Sequence, residues 1–395
     1  MHQSSRRAIV IGAGLGGMAA ALRLRALGCD VTLVERGTEL GGRAGTFERG
    51  GFRHDAGPTV ITAPFLFDEL FELFGRRRED YVTLVPLSPW YRFMFPDGST
   101  FDYGGTLEQT LAAINAVEPA DVAGYRDLLA HARKLYDKGF TELADQPFHD
   151  VRTMLRQVPV LTRLRADRSV WEFVCRHISH PKLREALSIQ PLLVGGSPFD
   201  TTSIYGLIHY LECSSGVFFA MGGTGAIVAA LGRLMTEQGI AVRLGTTVSR
   251  ITLEGRRATG VALAGGETLA ADIVVSNADP MHLYRAMLPE HALRLASRLK
   301  RRSRLSMGLY VLYFGTRRRY PNVAHHTIWL GPRYRELLDE IFHMKVLGKD
   351  FSLYVHRPTA TDQSFAPAGC DSFYVLCPVP NLLGNIDWTV EGPRL

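Results

Sequence analysis

The chain is poor in cysteine and lysine, and no long apolar run in it is free of glycine. Its five cysteines (Cys29, Cys175, Cys213, Cys370, Cys377) are odd in number, widely scattered and without a C-x-x-C pair. That pattern argues against a disulfide framework and a structural zinc site, and favours a reducing compartment. The longest stretch without charge, Cys213 to Gly232, covers 20 residues but holds five glycines with Ser214, Ser215 and Thr224, a poor composition for a spanning helix. No secretory leader is expected, because Arg6 and Arg7 precede an apolar run that Gly12, Gly14, Gly16 and Gly17 interrupt. Collagen periods, solenoid repeats and low-complexity tracts are absent too. What remains is an ordinary globular composition, 46% hydrophobic and 21% charged over 395 residues, too long for one core and suited to two or three packed domains.

The net charge of +6 sits in one place. Between Val151 and Arg184 stand eight basic residues (Arg152, Arg156, Arg163, Arg165, Arg168, Arg176, Lys182, Arg184) against Asp167 and Glu172, so the rest of the chain sums to zero. Val151, Met154, Leu155, Val158, Leu161, Leu164, Trp171, Phe173, Val174 and Ile178 recur there near helical spacing, which predicts basic amphipathic helices broken at Pro159. Solvated helix faces and a patch for anionic lipid headgroups are both compatible with this charge. Nucleic acid is not expected as a partner, because no nucleic-acid-binding motif accompanies it. Smaller clusters lie at Arg76 to Arg78, Lys300 to Arg304 and Arg317 to Arg319. Upstream, Val122, Tyr125, Leu128, Leu129, Ala132, Leu135, Tyr136, Phe140 and Leu143 predict one long amphipathic helix after Pro119 and Asp121.

The strongest chemistry is at the N-terminus. Ala8 to Ile11 is a short apolar strand, followed by Gly12, Ala13, Gly14, Leu15, Gly16 and Gly17 and by a helix that Gly28 ends. Asp30 to Val34 is a second strand, which finishes at Glu35, 23 residues after Gly12. This is the spacing of a βαβ dinucleotide unit. Gly12 allows the tight turn, Gly14 lets the backbone approach a pyrophosphate, and Gly17 packs helix on strand; Glu35 can accept from a ribose hydroxyl. Downstream, Leu40 to Thr46 offers a glycine pair beside Arg43, suited to a second grip on a diphosphate. Phe47 to Asp55, with Gly50 and Gly51 at its turn, predicts a hairpin leading into Asp55, Ala56, Gly57, Pro58 and Thr59.

The strings GAGLGGMAAALRL, LVERGTELGGRAGTF and FRHDAGPTVITAP resemble the FAD-dependent amine-oxidase-type flavoproteins, in particular the bacterial and fungal type of phytoene desaturase. So do, in order, LLVGGSPFDTTSIYGLIHYLE, FAMGGTGAIVAAL, DIVVSNADPMHLYRAML and AHHTIWLGPRYRELLDEIF, so the resemblance covers essentially the whole chain. It implies an α/β fold: a discontinuous Rossmann-like FAD-binding domain (1–75 and 216–290), a mixed-sheet substrate domain (76–119 and 291–395) and a helical, membrane-facing insertion (120–215). It implies that Gly12, Gly14, Gly17, Glu35, Gly42, Arg43 and Thr59 contact FAD, and that Val248, in a strand from Ala241 to Arg250, lies near the adenine.

The activity implied is desaturation of phytoene, a C40 polyene, toward lycopene, with hydride transfer to the flavin, proton loss, and oxygen or quinone as electron acceptor. The alternatives are a related polyene isomerase, an amine oxidase, or a catalytically weak remnant, since the family's usual glycine-rich closing segment would follow DWTVEGP and the chain ends at Leu395. Arg156 matches an arginine that the family is thought to place near the flavin; Thr153 stands where the family has an acid. So hydrophobic a substrate implies peripheral, monotopic attachment at the cytoplasmic face of a membrane. No metal is expected: His325 and His326 are adjacent on a predicted strand, where neighbours point to opposite faces, and lack a third ligand.

Overall fold

The computed structural model describes residues 5–147, 151–293 and 305–395, which group into two units, and the basic cluster Lys300 to Arg304 lies outside the described residues. The first unit combines residues 5–85 with 219–293, and the second combines 86–218 with 305–395. The helices between 120 and 215 therefore share a unit with the mixed sheet.

In the first unit, strand β1 (Arg7–Ile11), helix α1 (Leu15–Ala26) and strand β2 (Asp30–Val34) form the expected βαβ element. Gly28, at φ +81°, ends the helix by adopting a left-handed conformation that side chains resist. β1 is central in a four-stranded parallel sheet ordered Ile273–Ser276, β1, β2, Ala241–Arg243. Parallel strands buried on both faces call for continuous apolar runs, and Ile9, Val10, Leu33 and Val34 are almost fully buried. The hairpin Thr46–Arg49 with Phe52–Asp55 forms as expected, its turn made by Gly50 and Gly51 at φ +60° and +83°. The strand expected from Ala241 to Arg250 is in fact two. Ala241–Arg243 ends the parallel sheet, the chain turns at Gly245 (φ +61°), and Val248–Glu254 begins a separate antiparallel sheet with Arg257–Leu263 and Thr268–Ala270.

The second unit is built on a six-stranded mixed sheet ordered Gly308–Thr316, Asp371–Val379, Leu353–His356, His326–Trp329, Tyr91–Met94, Thr100–Tyr103. Only the pairing of His326–Trp329 with Tyr91–Met94 is parallel. The predicted amphipathic helix spans Asp121–Tyr136 and buries Tyr125, Leu128, Ala132 and Leu135 along one face. The basic segment also folds as helices, but Pro159 does not break the first of them, which runs through it as Val151–Arg163. A proline there removes the N–H that would reach the carbonyl of Leu155. Leu155 is 63% exposed, so water can satisfy that carbonyl. Among the described residues no helix is long and apolar enough to cross a membrane.

Candidate functional site

β1 ends at Ile11, and the chain leaves it through Gly12 at φ +95°, a conformation available to glycine at no steric cost. The turn that follows is packed backbone on backbone. A Cβ on Gly17 would lie 1.9 Å from the carbonyl oxygen of Gly12, so only glycine lets the first turn of α1 sit on the strand end. Gly14 caps α1 without a side-chain hydrogen bond. The first N–H groups of the helix therefore remain free to face an anion, which the helix dipole favours at that end.

Glu35 closes the other side. Its Oε2 accepts from the backbone N–H of Ala13 at 2.7 Å and its Oε1 from that of Gly37 at 2.7 Å. A carboxylate offers about four acceptor positions, so two remain for a diol. The second glycine segment lies against the first: the N–H of Gly41 donates to the Ala13 carbonyl at 2.8 Å, and a Cβ on Gly42 would come within 3.2 Å of the Gly14 Cα. Arg43 follows with its side chain exposed, while its carbonyl oxygen sits 1.9 Å from where a Cβ on Gly57 would be. That contact ties in the loop carrying Thr59, which is buried. The same loop is held by Thr224, whose N–H donates to Asp55 at 2.9 Å and whose hydroxyl donates to the Pro58 carbonyl at 2.9 Å. Burial pushes the Asp55 carboxyl up to about 6, against the lowering effect of the Thr224 hydrogen bonds.

Gly12, Gly14, Gly17, Glu35, Gly42 and Arg43 thus form one backbone cluster at the carboxyl edge of the parallel sheet, with Thr59 on the adjoining loop. Val248 opens its strand and belongs to the core cluster that includes Ile11 and Val34, the last residues of β1 and β2. Asn277 escaped the sequence reading. Its backbone N–H donates to the Ile11 carbonyl at 2.8 Å, and its side-chain oxygen lies 2.8 Å from where a Cβ on Gly16 would be. The available signal was its position just after an apolar strand, Ile273–Ser276, but only the pairing of that strand with β1 brings it onto the glycine turn.

Arg156 lies in the second unit, exposed on the helix Val151–Arg163, and no carboxylate pairs with it among the described residues. Val158 and Val160 are 50% and 40% exposed on the same helix, which presents apolar and basic side chains together to its surroundings.

Residues 15–357 match the family described as flavin containing amine oxidoreductase. The chain is 48% identical over 394 residues to a lycopene-forming phytoene desaturase of Paracoccus sp., covering 99% of this chain and 78% of that protein. It is 46% identical over 389 residues to the lycopene-forming phytoene desaturase of Pantoea ananas, covering 98% and 79%. Among solved structures, a fatty acid isomerase from P. acnes superposes with a TM-score of 0.65 at 15% identity, covering 100% of this chain and 81% of that one, a likeness of fold alone. The glycine cradle, the discontinuous parallel sheet and these similarities agree, and the chain belongs to the flavin containing amine oxidoreductase family, among its bacterial-type phytoene desaturases.

Proposed function

We propose that this chain is an FAD-dependent oxidoreductase that desaturates phytoene toward lycopene in carotenoid biosynthesis. The observation that carries the reading is the similarity along almost the whole chain to phytoene desaturases described as lycopene-forming. The cradle fits the cofactor: a glycine turn with free helix N–H groups for a diphosphate stands beside a carboxylate with spare acceptor positions for a ribose. FAD, when bound, supplies the hydride acceptor for an allylic C–H bond.

The chain's own residues do the holding. Gly12, Gly14 and Gly17 admit the diphosphate to the backbone, Glu35 accepts from the ribose, and Gly42 with Arg43 gives a second grip on the phosphates. Thr59 would face the flavin and Val248 the adenine. In this reading residues 1–75 with 216–290 hold the cofactor, 76–119 with 291–395 hold the polyene, and the helices of 120–215 meet the lipid. The substrate is a hydrophobic carotenoid polyene, and such a hydrocarbon is confined to the bilayer, so the entrance belongs at the lipid surface. The exposed leucine, valines and arginines of Val151–Arg163 suit anionic headgroups at the cytoplasmic face of a membrane. The exposure of Arg156 favours that headgroup role over one at the flavin. Oxygen or a quinone takes the electrons onward.

The test is direct: purified chain, FAD and phytoene in liposomes give products with longer conjugated systems and red-shifted absorption. Flavin-loaded protein that returns phytoene unchanged, or an isomer with the same number of double bonds, refutes the reading.

A further inference from the structure

Three histidines come together in the mixed sheet of the second unit. His326 opens the strand His326–Trp329 and pairs in register with His356, the last residue of Leu353–His356. His325 stands one residue ahead of that strand, outside its alternation, so its ring does not point away from that of His326 as adjacent strand positions would. The ring centroids are 4.6 Å apart, and His325 lies 4.9 Å from His356. His356 brings a third imidazole to the adjacent pair. One candidate ligand nitrogen from each ring lies within 4.8 Å of the other two, and all three side chains are buried.

We propose that His325, His326 and His356 bind one divalent first-row transition ion of the kind imidazole prefers, such as Zn(II), Ni(II) or Cu(II). Their surroundings resemble the outer shell of such a site. Nδ1 of His325 is 2.7 Å from the Thr361 hydroxyl, and Nδ1 of His326 is 2.6 Å from the Tyr354 hydroxyl. Each hydroxyl orients its ring and leaves Nε2 as the coordinating atom. Nε2 of His326 is fully buried with no hydrogen-bond partner among the described residues, a costly arrangement that a metal ion would relieve.

Neutral imidazole is the form that coordinates metals, and all three rings are buried, with the backbone N–H of Arg357 donating to the His325 carbonyl at 2.9 Å. The Arg357 charge is itself paired with Asp371 at 3.1 Å, which limits its repulsion of a cation. Of the three, His325 borders a cavity of about 340 Å³, lined also by Arg357, Arg92, Thr361 and Pro321, which is the side from which an ion would enter. A tetrahedral site with bonds of about 2.1 Å needs nitrogens roughly 3.4 Å apart. Closing to that distance requires the His356 ring to rotate out of its stack on His326, where the planes now meet at 21°.

The test uses the full chain without a polyhistidine tag, stripped with a chelator and titrated with Co(II) by absorption and with Zn(II) by calorimetry. The expected result is one ion per chain, with the ligand-field bands of a four-coordinate nitrogen site. His325→Gln, at the cavity wall, should weaken binding at least a hundredfold in protein that remains folded by circular dichroism. Tyr354→Phe, which removes only the orienting hydroxyl, should weaken it about tenfold. Should His325→Gln not fold, Tyr354→Phe decides alone. Folded wild-type protein that takes up no stoichiometric ion overturns the proposal. So does binding unchanged in His325→Gln, or binding lost instead in His343→Gln, whose exposed ring stands beside Asp200 and Asp339.

Discussion

The carboxylate of Glu35 accepts a hydrogen bond from the backbone N–H of Ala13 at 2.7 Å, locking the end of β2 to the turn that follows β1. The same carboxylate caps the N–H of Gly37, so the residue proposed to bind the ribose also organises the loop proposed to hold the phosphates. Glu35→Gln supplies one acceptor where two backbone donors need one each. One donor loses its partner, at about 1–3 kcal/mol. FAD affinity should fall by at least tenfold, read by flavin fluorescence in a titration of the apoprotein; unchanged affinity would show that the carboxylate is dispensable.

Two glycines of the same element should respond very differently to alanine. Gly17→Ala drives a methyl group to 1.9 Å from a backbone carbonyl that cannot withdraw without moving β1, and should abolish flavin binding and lower the melting temperature sharply. Gly28→Ala meets nothing within 4 Å and has only its φ of +81° to accommodate, at a cost of about 1 kcal/mol. Thermal denaturation of the two variants separates steric necessity from conformational preference.

In the second unit, Glu212 is fully buried and accepts from the Tyr91 hydroxyl at 3.0 Å; burial pushes its carboxyl from an ordinary 4.5 up to about 8. Between those values the native state holds a proton that the unfolded chain has released. Stability therefore falls as pH rises through that window, by at most roughly 1.4 kcal/mol per pH unit, and levels off above it. Glu212→Gln carries no such proton and should lose this part of the slope, so that it gains on the wild type from pH 5 to pH 8 in denaturant unfolding curves. Parallel curves for the two proteins would mean that Glu212 is ionised in the folded state.

The helix Val151–Arg163 should bind anionic vesicles in a salt-dependent way. Arg152→Gln with Arg156→Gln removes two exposed charges worth about 1 kcal/mol each near a charged surface, a loss of roughly thirtyfold in partitioning. Vesicle sedimentation in low and high salt measures it, and neutral vesicles should show little difference between the proteins.

The βαβ unit was legible residue by residue because its determinants are close in sequence. A glycine turn, one helix rich in small and apolar residues and a terminal acid lie between Gly12 and Glu35, and each strand is a plain apolar run. The hairpin with Gly50 and Gly51 was legible for the same reason. Local pattern failed where solvent or tertiary partners decided: Pro159 stays inside its helix because its orphaned carbonyl can meet water, and the stretch from Ala241 to Arg250 divides because two sheets compete for it.

Backbone stereochemistry and short-range hydrophobic pattern were enough for the sequence to determine the nucleotide turn, its acid and the basic helices, while the kinship with phytoene desaturases rested on the resemblance of its longer motifs. Only the tertiary structure decided that Asn277 lies on that turn, that Glu212 is sealed from water beside Tyr91, and that His325 and His326 meet His356. Those encounters depend on strand register and on burial, to which residues far apart in the chain contribute together, so no local stretch of sequence contains them.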